Sequence, residues 1–261
     1  MKNPLISLLL FLFVASLSSC LENDTEYLPL GSVELQMTED LSVSPRRLHF
    51  NFFTEEDYEC INYIIRYTST STAGNIDINL IDIEKTALCL TNHGPALVII
   101  ELDSYQPGNY EVLIKVGDVS NTGSLEVTEE KYVITFDDPE MLTAQYDTLH
   151  RIPDDMIWGI VGYYSEEGEL IVDSFLDSLE NIGAQPRVLS TGDYGYFQAD
   201  SIGQIIAPEG LEFNFTKTFV YDYPGLMGPV QEAINYFSDI YTNDLYIYLY
   251  NSEGEIFISD N

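Results

Sequence analysis

Apolar and polar residues alternate along much of the chain between residues 31 and 136. The alternation begins at Val33, Leu35 and Met37, and turn-forming residues separate each run from the next. A period of two residues is typical of strands that bury one face. About eight such segments in roughly a hundred residues, with no helical spacing among them, predict a β-sandwich over residues 31–136.

Helical spacing appears only in the second half of the chain. One apolar stripe follows Ser174 and ends before Gly183, and another follows Pro229. Serine and glycine suit the two ends of a helix, and proline is favoured in the first helical turn. We expect a strand over 169–172 before the first helix and a hairpin over 245–258 at the end of the chain.

These patterns divide the chain into two domains and make it mainly β. Residues 154–261 are predicted to form a small α+β domain, an antiparallel sheet with two helices covering one face. Residues 137–153 have no clear period and are predicted to be a linker. The segment Leu102–Tyr110, with its Pro-Gly turn, resembles the tyrosine corner of immunoglobulin-like and fibronectin-type domains. That resemblance implies an immunoglobulin-like sandwich, a fold that usually serves surface lipoproteins as a spacer or adhesion module.

The first twenty residues have the pattern of an export signal. Lys2 precedes an apolar run from Leu5 to Leu17, which is shorter than the roughly 20 apolar residues that a membrane-spanning helix needs. The run ends in Leu-Ser-Ser-Cys20, which resembles the lipobox of bacterial lipoproteins. The resemblance implies that residues 1–19 are a cleaved signal peptide and that Cys20 carries diacylglycerol and an acyl chain such as palmitate. An ordinary signal peptide with an incidental cysteine is the alternative.

Residues 20–30 are acidic near Cys20 and are predicted to be a tether. An acidic patch directly after the lipidated cysteine resembles the signal that sends lipoproteins of the Bacteroides group to the outer face of the outer membrane. The resemblance implies a lipid-anchored protein that faces the cell surface. A merely solvated spacer is the alternative, and both readings stay open.

The charge balance excludes one class of partner. The chain has 43 Asp and Glu against 10 Lys and Arg, a formal net charge of −33, while 45% of its residues are hydrophobic. Such a charge repels the phosphates of nucleic acids and opposes direct adsorption to anionic lipid. The apolar content is nevertheless high enough for a folded core.

Cysteine usage fits export. If Cys20 takes the lipid, Cys60 and Cys89 remain, and an oxidising compartment permits a disulfide between them. Two free buried thiols are the alternative, because the sequence does not show whether the two Cα atoms approach within about 7 Å. A structural metal site needs more Cys or His nearby than the chain offers, so no metal is expected there.

No catalytic residue stands out. The three histidines, His49, His93 and His150, lack an accompanying nucleophile elbow, P-loop or dinucleotide fingerprint. With so many acids, any pair of carboxylates is nearly uninformative about glycoside hydrolysis. Calcium at Asp137-Asp138 or Asp154-Asp155 is the one cofactor that the sequence favours at all, since hard oxygen ligands suit it.

Tyrosines are the more suggestive feature. In the last hairpin Tyr246, Tyr248 and Tyr250 would share one face of a strand while the aliphatic residues between them share the other. If the aliphatic face packs on the helices, the tyrosine face points outward and offers rings with hydroxyl tips to a sugar or a protein. Tyr194 and Tyr196 would extend this face. The alternative is that tyrosine is simply a good strand former on a half-wet sheet.

Two function classes follow, with a third behind them. The first is a non-enzymatic cell-surface lipoprotein, in which a β-sandwich spacer carries a module that binds a glycan or a partner protein. The second is a carboxylate-dependent hydrolase, which a deep acidic cleft would favour over a flat tyrosine face. The third is a structural component of an envelope complex.

Overall fold

The structure, a computed structural model, describes residues 26–72, 74–86, 88–89, 93–242 and 244–259. Within these residues the chain is mainly β, with eighteen strands and two helices. The first eleven strands are β1 (Tyr27–Pro29), β2 (Val33–Asp40), β3 (Arg47–Tyr58), β4 (Ile64–Thr72), β5 (Asn75–Glu84), β6 (Gly94–Glu101), β7 (Gly108–Val116), β8 (Val119–Val127), β9 (Lys131–Phe136), β10 (Leu142–Ala144) and β11 (Thr148–His150). The later elements are β12 (Met156–Tyr163), α1 (Glu167–Asn181), β13 (Gln185–Pro186), β14 (Gly192–Asp193), β15 (Gln198–Ala199), β16 (Phe215–Asp222), α2 (Met227–Ile240), β17 (Leu245–Asn251) and β18 (Ile256–Ile258).

Thirteen of the described strands form one large curled sheet, which is called here the first lobe. Its strand order is β10-β2-β3-β6-β4-β5-β7-β8-β9-β11-β14-β15, with β1 added beside β5. The two halves of this sheet are joined at β4 and β6 by one pair, Ile64 with Leu97. Both halves turn their alternating apolar side chains toward one core, in which Leu35, Phe50 and Ile114 are fully buried. The alternation in the sequence is therefore the pattern of a single buried face.

Two predicted boundaries of the first lobe are wrong. Residues 27–29, placed in the tether, form β1 and pair with β5, and Leu28 packs against the core. Residues 137–153, predicted to be a linker, contribute β10 and β11 to the first sheet, because Leu142 and Leu149 bury their side chains in the same core. These strands are only three residues long, too short for a period of two to be recognised.

The second lobe is a five-stranded antiparallel sheet with the order β13-β16-β12-β17-β18. Both helices cover one face of it, as the sequence predicts. Their buried residues Val172, Phe175 and Ile234 meet Ile247 and Leu249 of β17 in one cluster. The aliphatic face of β17 is thus the face that lies under the helices.

The strand predicted over 169–172 is wrong, because this segment belongs to α1. Val172, Phe175 and Leu179 are fully buried and lie three and four residues apart, so they form one helical face. Ser174, predicted to cap the helix, lies inside it, and its hydroxyl donates to the backbone oxygen of Leu170 at 2.8 Å. The helix begins one and a half turns earlier than the serine indicates.

The two lobes share structure where they meet. Strand β14 leaves the second lobe's sequence to pair with β11, which extends the first sheet. A separate apolar cluster joins Leu41 of the first lobe to Met156, Trp158 and Val220 of the second. Beside it lies Glu39, which is 3% exposed; its carboxylate accepts from the Tyr132 hydroxyl at 2.8 Å and pairs with two arginines, named at the end of this sentence: Arg46 and Arg151.

Candidate functional site

A cleft of about 650 Å³ opens at the junction of the two lobes. Gln36, Gln145 and Tyr146 line it from the first lobe, and Trp158 and Tyr250 line it from the second. The rest of its wall comes from two stretches between β13 and β16, which are residues 193–198 and 205–209. The cleft exists only because the chain between β13 and β16 crosses back to the first sheet.

Trp158 and Tyr250 form the floor of the cleft. They lie opposite one another on β12 and β17, and their rings are stacked. Trp158 is 4% exposed and also meets the ring of Phe197, with centroids 5.5 Å apart. Next to it Gly159 has no room for a side chain, because a Cβ would lie 2.1 Å from the backbone oxygen of Tyr248. The floor is therefore a rigid, close-packed aromatic surface.

Two tyrosine rings stand more openly at the cleft. Tyr196 is 48% exposed and Tyr146 is 37% exposed. The hydroxyl of Tyr196 donates to the backbone oxygen of Glu39 at 2.8 Å, and the side-chain amide of Gln198 donates to the hydroxyl of Tyr146. These hydrogen bonds fix the orientation of both rings while their faces stay accessible, so the rings are arranged before any ligand arrives.

Asp193 places a nearly buried carboxyl in the wall of the cleft. It is 7% exposed, and β14 holds its backbone between β11 and β15. The backbone N–H of Gly195, a glycine in the left-handed region at φ 78°, donates to Oδ2 of Asp193 at 3.3 Å. Burial raises the pKa of Asp193 to about 6. A second carboxyl, that of the exposed Glu209, lies on the same wall.

The cleft thus combines flat aromatic rings with hydrogen-bonding groups. Its amides can donate and accept, whereas its carboxylates, when ionised, can only accept. Among the described residues that line it there is no lysine, arginine or histidine. Chemically this arrangement suits a ligand that has an apolar face for stacking and hydroxyl or amine donors at its edges.

The structure brings two of the predicted site residues into the cleft, Tyr250 and Tyr196. Tyr194 does not extend the surface as predicted, because it is 4% exposed and belongs to the apolar cluster between the lobes. Its ring is stacked between His150 and Phe197, with centroids 5.1 and 4.9 Å away. Burial also lowers the pKa of His150, so this histidine is a packing partner in the junction.

Tyr246 and Tyr248 lie on the same face as Tyr250 but outside the cleft. All three are half-buried, so the predicted tyrosine face is partly covered by neighbouring side chains. Tyr246 packs on Phe213, with ring centroids 5.2 Å apart, and Tyr248 lies opposite Ile160 of the cleft wall. The face is continuous with the cleft floor through Ile160.

The sequence gave no indication of Trp158, Tyr146 or Asp193 as site residues. Trp158 lies in a continuous apolar strand, and Tyr146 lies in the segment predicted to be a linker. Asp193 is one of 43 acids, and only its burial distinguishes it. The sole signal in the sequence is the concentration of glycine and aromatic residues at 192–197, which marks a tight and unusual backbone.

The other predicted special residues lie apart from the cleft. Cys60 and Cys89 form a disulfide with their Cα atoms 5.3 Å apart. Cys20 lies outside the described residues. The described part of the chain contains no group of three or more His, Cys, Asp or Glu side chains placed to hold a metal ion.

Comparison with protein-family models, with curated protein sequences and with solved structures finds no match to this chain. Among the described residues, neither helix is long and apolar enough to cross a membrane. The geometry of the cleft is accordingly the main guide to function.

Proposed function

We propose that this protein is a non-enzymatic cell-surface lipoprotein whose cleft between the lobes binds a glycan. The observation that carries the proposal is the pair of accessible, hydrogen-bonded tyrosine rings, Tyr146 and Tyr196, above an aromatic floor with a carboxyl and amides around it. The pyranose rings of a glycan have apolar C–H faces that stack on aromatic rings and hydroxyls that bond to amides and carboxylates.

The volume and build of the cleft support this proposal. A volume of about 650 Å³ lies within the range of roughly 300–1,000 Å³ of small-molecule sites, and it has room for a few sugar units. The aromatic surface continues beyond it along the outer face of β17 toward Tyr246. A glycan chain that is longer than the cleft would find further rings in that direction.

The membrane anchor is part of the same proposal. The lipobox at Cys20 and the acidic residues after it support a lipid-anchored protein on the outer face of the outer membrane. The first lobe then serves as an immunoglobulin-like spacer that also contributes Gln36 and Tyr146 to the cleft. In the native host, Cys20→Ser should move the protein from the membrane fraction to the soluble fraction. Retention of that variant in the membrane fraction would remove the lipoprotein part of the proposal.

The glycan proposal is tested by native electrophoresis in gels that contain dissolved polysaccharides. The chain from residue 21 onward should be retarded by at least one of them, and Tyr196→Ala and Tyr146→Ala should each weaken the retardation at least about tenfold. Tyr236→Ala is the matched control, because Tyr236 is 61% exposed on α2, which covers the opposite face of the second sheet. If no polysaccharide retards the protein, glycan binding is wrong and a protein partner becomes the first candidate.

A carboxylate-dependent hydrolase is the second candidate, and one observation favours it. Asp193 and Glu209 both line the cleft, and a carboxyl with its pKa raised to about 6 is suited to act as a general acid. Release of reducing ends from any retarding polysaccharide, abolished in Asp193→Asn, would establish hydrolysis. Retardation without release of reducing ends would leave the binding function.

A further inference from the structure

We propose that the cleft selects uncharged glycans over acidic ones, and that Asp193 is the residue that determines this selection. The inference rests on the proposed glycan-binding function and names the class of glycan. It follows from the placement of one buried carboxylate in the cleft, from the absence of any basic side chain among the described lining residues, and from the use of the chain's few cations elsewhere.

Asp193 needs hydrogen-bond donors that the protein does not supply. Its carboxyl is more than nine-tenths buried, and the one hydrogen bond described for it is the 3.3 Å bond from the N–H of Gly195. No ion pair involves it among the described residues, and burial raises its pKa to about 6. A ligand that donates hydroxyl groups to this carboxylate would supply those bonds.

The basic residues near the junction are already engaged. Arg46 and Arg151 pair with Glu39, and Arg187 pairs with Asp222. These arginines lie along a neighbouring groove and not along the cleft, whose described wall lacks basic residues. In a chain with 43 acids and 10 bases, such an arrangement leaves the cleft with a negative potential.

An acidic sugar would therefore meet like charge. A uronate or sulfate seated in the cleft would lie near the carboxylates of Asp193 and Glu209 in a region with little water, where repulsion between charges is stronger than in solvent. Its own charge would also lose hydration without gaining a cation. A neutral sugar avoids both penalties.

The experiment uses the chain from residue 21 onward and a panel of neutral and acidic polysaccharides. The neutral members are β-glucan, xyloglucan, galactomannan and α-mannan, and the acidic members are polygalacturonate, hyaluronate and heparin. The best-retained neutral glycan is then oxidised at its primary hydroxyls to carboxylates, which gives a charged probe on the same backbone. We expect retention by neutral members, and at least about tenfold weaker retention of the oxidised glycan than of its parent.

Salt separates the local effect from the charge of the whole molecule. At about 1 M salt the screening length is about 3 Å, so repulsion by the distant surface acids is suppressed while the buried carboxylate still acts. The discrimination should persist in that salt and fall several-fold in Asp193→Asn. Asp118→Asn is the matched control, because Asp118 is exposed in the turn between β7 and β8 and its change removes the same charge.

The outcomes separate the inference from the function on which it rests. Retention by acidic glycans alone, equal retention of parent and oxidised forms, or equal discrimination by the wild type and a folded Asp193→Asn would overturn the inference while glycan binding stands. Discrimination that disappears in about 1 M salt would also overturn it, because the effect would then belong to the net charge. Retention by no member of the panel would overturn both.

Discussion

Trp158 and Tyr250 face each other across neighbouring antiparallel strands, and their rings stack with centroids 5.8 Å apart and planes at 15°. One ring is almost completely buried and the other is half-buried. The pair therefore belongs at once to the apolar cluster that joins the lobes and to the floor of the cleft. Stability of the junction and shape of the site depend on the same two side chains.

Trp158→Ala should strongly destabilise the protein. The change removes a buried indole that contacts Tyr250, Phe197 and Tyr196, so we expect the free energy of unfolding to fall by about 3–5 kcal/mol in denaturant titrations. Tyr236→Ala, at an exposed position, should change it by less than about 1 kcal/mol. A loss below about 1 kcal/mol for Trp158→Ala would contradict the packing described for the junction.

Glu39→Ala should be far more harmful than removal of a surface carboxylate. It leaves Arg46 and Arg151 without their buried partner, and we expect a loss of about 3–5 kcal/mol in unfolding free energy. Glu101→Ala is the comparison, because the Arg47–Glu101 pair is about half exposed and such pairs contribute about 0–1 kcal/mol. Equal losses for the two variants would show that the Glu39 cluster does not hold the lobes together.

Asp193 should make stability depend on pH in a defined direction. Because burial raises its pKa to about 6, the folded protein keeps a proton that the unfolded chain has already released between about pH 4 and 6. This contribution to stability is complete below about pH 4 and is lost as the pH rises through about 6. We expect Asp193→Asn to gain about 1–3 kcal/mol in unfolding free energy relative to the wild type between about pH 4 and 7.5.

The comparison of Asp193→Asn with the wild type is needed because the many other acids also repel one another as the pH rises. Thermal unfolding at a series of pH values gives both curves, and Asp118→Asn controls for the loss of one charge. A gap between Asp193→Asn and the wild type that stays constant with pH would rule out a raised pKa for Asp193.

The disulfide should matter for stability and little for the cleft. Cys60 and Cys89 are 29 residues apart in sequence, and closing a loop of that size stabilises a protein by about 3 kcal/mol. The double variant Cys60→Ala/Cys89→Ala should lose that amount and retain any glycan affinity, since neither residue lines the cleft. Loss of affinity in a variant that is still folded would connect the two regions in a way that the contacts do not explain.

Local patterns were enough to predict much of the fold. The alternation at Val33, Leu35 and Met37 is seen in β2, and the aliphatic face of β17 does pack under two helices. The segment 169–172 was misassigned because Val172 fits a strand period as well as a helical one over four residues. Only the packing of Val172 with Phe175 and Leu179 decides between them.

The cleft was less predictable, because it depends on contacts between residues that are distant in sequence. Tyr194 and Tyr196 are neighbours of the same type, yet Tyr194 is buried against His150 while Tyr196 is exposed. That difference follows from the pairing of β14 with β11, which no local pattern encodes. Tyr146 was missed for the same reason, since its segment joins the sheet through strands of three residues.

The pairing of β14 with β11 also affects how such a protein can evolve. A recombination breakpoint between residues 150 and 192 would separate β11 from the strand that covers its edge and would leave Asp193 without its backbone support. An uncovered strand edge invites aggregation, so each half would be penalised on its own. The two lobes are therefore expected to be inherited together and not shuffled among other proteins as independent modules.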